Sequence, residues 1–442
     1  DVAWTHTVST ARRFTLHELA LKPGDPRTYL VDGAEKAMTP IDVSVPLADG
    51  TSATRRFYRT EFGPLLQFAQ IGAAWSPSRA YALQDVNMDN NRAVTTWLAA
   101  GKARNVRELS EVMGTLRGAP YVNTIASDRT GEVLFGDLSA VPNVEKSLID
   151  QCPSVIGPAL LAAQSIVVLD GSKSACHWGR SEVPAAERLL PLARLPSVIR
   201  TDYVANSNDS YWLTNPAHTF DATLSPLLGR VGAPQSLRTR AGLTLIDQQL
   251  ASGSKVSAEA LKTRWSNNDN FAASLVLDDL LAMIAQSGST TVTASNGAQV
   301  DATGAIAALT AWDRTSRSAA RGAVLFREVW SRLSKAGAIF GTPFDATQPV
   351  ATPRGLDATQ RASVSAALGD AILALQAQNV APDAPLGEVQ LIEVGGTRHA
   401  IGGGDDRPIR DGDLVESVLA PEADLAGRSR LARLDAGRRE RT

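Results

Sequence analysis

The spacing of apolar residues changes at about Pro234, and this change most constrains the fold. Before it, apolar residues alternate in short runs, as in residues 41–45, which is typical of β-strands with one buried face. Beyond it, apolar residues recur every three or four positions, as in residues 275–284, which is typical of amphipathic helices. The sequence therefore predicts a strand-rich first part and a helix-rich second part.

Two β-hairpins and a helical pair are predicted in the first part. The strongest hairpin signal is Asp49-Gly50, which separates two alternating runs. The predicted segments are a strand at 14–21, a hairpin with strands at 41–45 and 55–62, a hairpin with strands at 122–126 and 132–135, and helices at 90–98 and 106–116. Strands are expected to return at 389–394.

Composition excludes several function classes. The chain has 442 residues, a net charge of -2 and 44% hydrophobic residues, so neither nucleic acid nor an anionic membrane surface is expected as a partner. No apolar run approaches the roughly 18 residues of a membrane helix. The chain begins at Asp1 without a basic and apolar signal pattern, so we expect a processed or missing N-terminus.

The two cysteines, Cys152 and Cys176, leave two possibilities open. They flank a segment that ends in a turn at residues 169–173, so they could close one loop in an oxidising compartment. They could equally be two buried free thiols in a cytosolic protein.

The segment 405–442 differs from the rest of the chain. It has no aromatic residue and no lysine, and arginine dominates its charge. Such a composition favours a solvated or disordered tail. Acidic residues between the arginines argue against a nucleic-acid arm.

Searches for common catalytic motifs find none. The sequence has no Gly-x-Ser-x-Gly motif, no phosphate-binding glycine loop and no His-Glu-x-x-His motif, and its five histidines lack metal-ligand spacing. Two polar segments remain, at 4–10 and 203–210, each interpreted as the end of a strand. Amides and hydroxyls there could bind a developing oxyanion, or could simply cap turns.

DVAWTHTVSTARRFTLHELAL at the start of the chain closely resembles the β chain of penicillin-acylase family enzymes, nearest to the acyl-homoserine-lactone and aculeacin acylases. The resemblance continues in order through GDPRTYLVDG, RAYALQDVN, RGAPYVNTIASDRTGEVLFGD and VANSNDSYWLTNPA, and more loosely from TAWDR to RHAIGGGD. It covers residues 1–404, a partial β chain with a helix-rich insertion at about 234–380. Beyond it, the 405–442 segment replaces the family's glycine-rich strands, so we expect a disordered or out-of-frame tail.

The resemblance implies an α+β fold, an incomplete αββα sandwich of the N-terminal-nucleophile hydrolases with a helical subdomain. In this family an N-terminal serine attacks the amide, and its own α-amino group is the base. That serine belongs several dozen residues before Asp1, so the nucleophile is absent from this chain. Ser9 and Ser207 lie in matching motifs but not at its position. The α chain and the first part of the β chain are the implied missing partners.

By the same resemblance, the backbone N–H of Val8 and the side-chain amide of Asn208 form the oxyanion hole, with Arg238 in a supporting role. Without the resemblance, Val8 would be a core residue, Asn208 a turn cap and Arg238 a solvated helix residue. Oxyanion donors of this kind typically contribute on the order of 100-fold or more in rate.

Four further residues match acyl-pocket positions of the family, although each could be an ordinary core residue: Thr7, Trp97, Tyr121 and Val122. Tryptophan is frequent at the Tyr121 position, so chain-length preference is open. Some relatives bind calcium through aspartates just after the oxyanion strand. Residues 9–13 hold no carboxylate, so we expect no metal through that motif, and no cofactor.

The resemblance also implies a Cys152–Cys176 disulfide and a periplasmic or secreted bacterial protein. The intact parent would be an amidase-type hydrolase that removes acyl chains from N-acyl homoserine lactones, lipopeptides or β-lactams. This chain alone would be inactive. A non-catalytic domain that binds acylated ligands, or the product of a degraded gene, are the alternatives.

Overall fold

A computed structural model describes residues 1–179, 188–334 and 339–404. It forms two compact units, Asp1–Ala233 and Pro234–Thr442. The predicted tail at 405–442 lies outside the described residues.

The first unit holds two larger sheets and a separate hairpin. Its strands are β1 Val2–Val8, β2 Phe14–Lys22, β3 Asp25–Val31, β4 Ala34–Ala37, β5 Thr39–Pro46, β6 Ser52–Arg59, β7 Leu65–Leu66, β8 Arg79–Asp85, β9 Val122–Asp128, β10 Val133–Gly136, β11 Val168–Asp170 and β12 Ser197–Arg200. One sheet has the order β1-β9-β10-β12. The other has the order β4-β3-β2-β8-β7, and β11 pairs with β2 in parallel.

Both predicted hairpins are present. β9 pairs with β10 antiparallel and buries Ala126, Leu134 and Phe135 in the core. β5 pairs with β6 antiparallel, but nearly all residues of both strands are exposed, on both faces of the hairpin. The alternation at 41–45 therefore indicates the strand correctly without indicating burial.

Among its described residues the first unit also has the α-helices α1 Ala93–Ala100, α2 Val106–Leu116, α3 Lys146–Gln151 and α4 Gly157–Gln164. The predicted helical pair corresponds to α1 and α2. Asn105 caps α2 by accepting a hydrogen bond from the Glu108 N–H. Val106, Leu109 and Met113 then line one buried face, in the same cluster as the β9–β10 core.

The Cys152–Cys176 disulfide implied by the resemblance is present in the first unit. Both cysteines are buried. The loop that they close contains α4 and β11, so the bond lies beside the sheet that contains β2.

The second unit is mainly helical. Its helices are α5 Leu237–Ala251, α6 Ala258–Asn267, α7 Phe271–Gln286, α8 Thr303–Ala311, α9 Ala323–Leu333, α10 Arg361–Ala377 and α11 Leu386–Val389. Three two-stranded sheets join them, β13 Thr291–Thr293 with β14 Gln299–Asp301, β15 Phe340–Thr342 with β16 Arg354–Leu356, and β17 Leu391–Val394 with β18 Thr397–Ala400.

Residues of α7 show why this unit folds. Val276, Leu277, Leu280 and Ile284 are buried at helical spacing, and they share one core cluster with α8, α9 and α10. Asn270 caps the helix by accepting from the Ala273 N–H. The buried side chains of α7, α8, α9 and α10 thus form one hydrophobic core in the second unit.

Candidate active site

The end of β1 presents its backbone at an open strand edge. β1 is the edge strand of its sheet, and Val8 pairs with Val122. The next residue, Ser9, donates its N–H to Tyr121 O at 2.9 Å. Since hydrogen-bonded and non-hydrogen-bonded pairs alternate in an antiparallel ladder, the N–H and C=O of Val8 point away from β9. Val8 is also 62% exposed, so this is not the core position that its residue type suggests.

A network of amides fixes one side of this strand end. The Asn206 Oδ1 atom accepts three hydrogen bonds, from the Thr7 hydroxyl at 2.8 Å, from Asn123 Nδ2 at 3.1 Å and from the Asn208 backbone N–H at 2.9 Å. Asn206 Nδ2 donates to Asp209 O at 3.0 Å. Asn206 therefore couples β1, β9 and the 206–209 turn through one side chain.

Asn208 brings an amide donor to the same place. Its φ of 70° lies in the left-handed region, which asparagine tolerates better than most residues. Its Nδ2 atom donates to Val8 O at 3.3 Å, across 200 positions of sequence. The structure therefore brings the two predicted oxyanion-hole residues into contact at the open edge of β1.

The turn that contains Asn208 does not follow a strand. The sequence predicted a strand at Tyr203 running into a polar turn, but β12 ends at Arg200 and residues 203–206 are irregular. Asn215 holds this segment from the side, because its Nδ2 atom donates to Tyr203 O at 2.9 Å. The segment is thus held by side-chain bonds and by one backbone bond, from the Ala205 N–H to Thr214 O at 2.9 Å, and not by a strand ladder.

A buried ion pair follows the strand end. Arg13 and Asp137 are 0% and 1% exposed and lie 2.8 Å apart. Asp137 also accepts from the Ser9 and Ser139 hydroxyls. The Ser9 oxygen in turn accepts from the Ala11 N–H at 3.0 Å. A guanidinium and one distant carboxylate thus anchor the segment after β1, where residues 9–13 carry no acid of their own.

The predicted pocket residues fall on different sides of the β1–β9 pair. Side chains alternate between the faces of a strand, so Val8 and Val122 share one face with His6, and Thr7 points to the other. Trp97 joins the first face, because its indole Nε1–H donates to His6 Nε2 at 3.0 Å. Trp97 and Val122 also pack against the same core cluster.

Unlike Trp97, whose indole is directed at His6, Tyr121 is directed toward Asp85. Its φ is 61°, it is 45% exposed, and its hydroxyl donates to Asp85 Oδ2 at 3.3 Å. Burial raises the pKa of Tyr121, with the nearby Asp85 carboxylate as a further cause, so the hydroxyl remains a donor at neutral pH.

Arg238 lies in the first turn of α5, in the second unit, and its supporting role stays a prediction. Its neighbour Arg240 is 1% exposed, donates from Nε to Val350 O at 2.9 Å and lies over the Phe271 ring. Burial lowers the pKa of Arg240 to about 10. The buried arginine of α5 is therefore Arg240, although nothing in the sequence distinguishes it from Arg238.

Residues 1–179, 188–334 and 339–404 contain neither a metal-binding cluster nor a membrane-spanning helix. That part of the chain contains no group of three or more His, Cys, Asp or Glu side chains arranged to hold a metal ion. Among the same residues, no helix is long and apolar enough to cross a bilayer.

Sequence reasoning missed Asn123, Asn206 and the Arg13–Asp137 pair. One signal was available for Asn123, which is a polar residue inside a predicted strand. A polar side chain that is 2% exposed needs hydrogen-bond partners, so a buried position there would have implied a network. Asp137, the ion-pair partner of Arg13, and Asn123, which donates to Asn206, are more than 80 positions from those residues, so no local pattern indicates either contact.

Comparison with known proteins gives consistent results. A sequence profile of the penicillin amidase family matches residues 1–421. Aculeacin-A acylase from Actinoplanes utahensis is 41% identical over 377 residues, which are 84% of this chain and 47% of that protein. The acyl-homoserine lactone acylase PvdQ of Pseudomonas savastanoi pv. phaseolicola is 34% identical over 412 residues, 91% of this chain and 51% of that protein.

A solved structure is similar in fold. The thermostable penicillin G acylase from Alcaligenes faecalis superposes with a TM-score of 0.54 at 16% identity, over 85% of this chain and 67% of that one. At this low identity the similarity is one of fold alone, and it agrees with the α+β class expected for this chain. This chain spans about half the length of the two acylases that it resembles in sequence.

Proposed function

The chain belongs to the penicillin amidase family, and from this membership we propose that it forms the oxyanion-binding part of an acylase. The proposal rests on one observation, the 3.3 Å contact of Asn208 Nδ2 with Val8 O at the open edge of β1. The Asn208 amide lies against the carbonyl of Val8, and the N–H of Val8 faces the same open edge of the strand. Such a pair suits an oxygen that gains negative charge during amide cleavage.

The proposed reaction uses a nucleophile from outside this chain. An N-terminal serine hydroxyl adds to the amide carbonyl, and its own α-amino group takes the proton. The Val8 N–H and the Asn208 amide then bind the tetrahedral oxygen. When the C–N bond breaks, the proton passes to the leaving amine, and water hydrolyses the acyl ester in the second half of the cycle. Arg238 is proposed as a supporting residue.

Partner polypeptides are part of this proposal. The missing α chain and the N-terminal part of the β chain would add the serine and further strands. The four-stranded and six-stranded sheets of the first unit would be the two inner layers of the αββα sandwich, left incomplete in this chain. The open edge of β1 supports this assignment, since an edge strand can pair with another strand.

Acylated small molecules are the proposed substrates: N-acyl homoserine lactones, lipopeptides or β-lactams. The similar acylases are named for aculeacin A and acyl-homoserine lactones, which supports an acyl group on an amide nitrogen. Trp97 and Val122 would contact the acyl chain from the same face as Val8. Tyr121, and Thr7 on the other face of β1, are proposed as further residues of the pocket. The disulfide favours a periplasmic or secreted location.

Incubation of this chain alone with a chromogenic N-acyl amide tests the missing nucleophile. We expect no hydrolysis above that of an Asn208→Ala variant, because the proposed serine nucleophile would come from another segment. Hydrolysis by the unaltered chain that the variant lacks would show that the nucleophile lies within residues 1–442.

The second candidate is a non-catalytic domain that binds acylated ligands. It predicts acyl-ligand binding that persists, and no hydrolysis, even when the rest of the parent protein is supplied.

A further inference from the structure

The Trp97 indole is held by a residue that the proposed mechanism does not use. Its Nε1–H donates to His6 Nε2 at 3.0 Å, and the two rings meet edge to face with centroids 5.9 Å apart. An indole N–H is only a donor, so His6 Nε2 must be unprotonated to accept it.

The other ring nitrogen fixes the tautomer. His6 Nδ1 lies 3.4 Å from Asn123 O and 3.3 Å from the Thr124 hydroxyl, so the proton of the neutral ring lies on Nδ1. Asn123 is also the residue whose side chain bonds Thr7 and Asn206. His6 therefore connects the indole of α1 to the strand pair that carries the proposed oxyanion hole.

We propose that His6 is a positioning residue of the acyl pocket, which fixes the Trp97 indole through its neutral Nε2 atom and so sets the preference for acyl-chain length. The inference rests on the proposed function, because it takes Trp97 to be a wall of the acyl pocket. His6 lies two positions before Val8 and on the same strand face, so the residue that holds the Trp97 wall and the proposed oxyanion donor belong to the same strand.

Protonation of His6 ends this arrangement. A charged imidazole donates from both nitrogens, so Nε2 would face another donor and the indole would be released. Burial lowers the pKa of His6 below its ordinary 6.5, so the ring is neutral at pH 7 and the bond fails only in acid. The groups that face the ring from β1, β9 and α1 are Trp4, Asn123, Thr124 and Trp97, and none of them carries a charge.

Ligand binding to the whole chain tests the inference without turnover. The probes are N-octanoyl and N-dodecanoyl homoserine lactone, and the measured quantity is the ratio of their dissociation constants. A pocket discriminates between chain lengths by about 10-fold or more per methylene when its walls are fixed. We expect His6→Phe to reduce the ratio by about 10-fold, because phenylalanine offers the indole no acceptor.

A conservative variant and a control separate positioning from folding. His6→Gln offers an amide oxygen to the indole, so it should keep most of the preference. Thr5 is exposed and its side chain points away from His6, so Thr5→Val should change nothing. Unaltered protein should lose its preference in acid, at a pH below the ordinary range of a histidine because burial lowers the pKa of His6, whereas His6→Gln should not.

The possible results distinguish a failure of this inference from a failure of the proposed function. An unchanged ratio in His6→Phe, an equal loss in His6→Gln, or the same acid sensitivity in both proteins overturns the inference alone. Failure of the unaltered chain to bind either probe overturns the proposed function instead. Should His6→Phe not fold, the Trp97 indole resonance of the unaltered chain decides: movement with His6 titration supports the bond, and no movement overturns it.

Discussion

Single residues at the end of β1 differ in how directly the sequence reveals them. Val8 and Asn208 could be named from their motifs, and they meet in the structure. Asn206 could not be named, although its single Oδ1 atom accepts three hydrogen bonds. A hydrogen-bond acceptor for several distant donors leaves no periodicity or spacing in the sequence, so only the folded chain reveals it.

The Arg13–Asp137 pair is the residue-scale feature with the clearest energetic consequence. Both side chains are almost fully buried, so Asp137→Asn would leave the Arg13 charge without its counterion. We expect the free energy of unfolding to fall by about 3–5 kcal/mol, the usual effect of breaking a buried ion pair from one side. Urea denaturation followed by circular dichroism measures this change.

Asp150→Asn is the matched control. Asp150 pairs with Lys146 on the surface, where both side chains are more than half exposed, so its loss should change stability little. Equal effects of the two substitutions would mean that the Arg13–Asp137 pair is hydrated rather than buried.

Secondary-structure elements were predictable where their signal was local. The Asp49-Gly50 turn and the alternation around it indicated β5 and β6, and the spacing of apolar residues indicated α2 and α7. The strand expected at Tyr203 was wrong, because that segment is held by Asn215 and Asn206 rather than by a neighbouring strand. Exposure of the β5–β6 hairpin was not predictable either, since an alternating pattern reports which side chains share a face and not what covers that face.

The loop closed by Cys152 and Cys176 gives a prediction at the scale of elements. Its ends are 24 positions apart, and a cross-link of that span stabilises by about 3 kcal/mol in the chain-entropy account. A reducing agent should therefore lower the thermal midpoint of the first unit by several degrees, measured by calorimetry. A Cys152→Ser, Cys176→Ser double variant should already melt lower and should not respond to the reducing agent. A midpoint that reduction leaves unchanged in the unaltered chain would contradict this stabilising role.

For the whole molecule, the sequence identified the family better than the catalytic centre. Ordered motifs across residues 1–404 were sufficient for the family. In the proposed mechanism the serine would come from another polypeptide segment, so no motif within this chain identifies it. The chain spans about half the length of the similar acylases, so the proposed active site depends on chemistry from another segment.

The central claim is that Val8 and Asn208 bind the oxyanion for a serine supplied from outside this chain. The most direct measurement is the kcat for an N-acyl amide after this chain is combined with the remaining segments of its parent protein. We expect activity only in the combination, with kcat lowered about 100-fold or more by Asn208→Ala and left unchanged by Asn105→Ala at the cap of α2. An active combination in which Asn208→Ala keeps the full kcat would contradict the account.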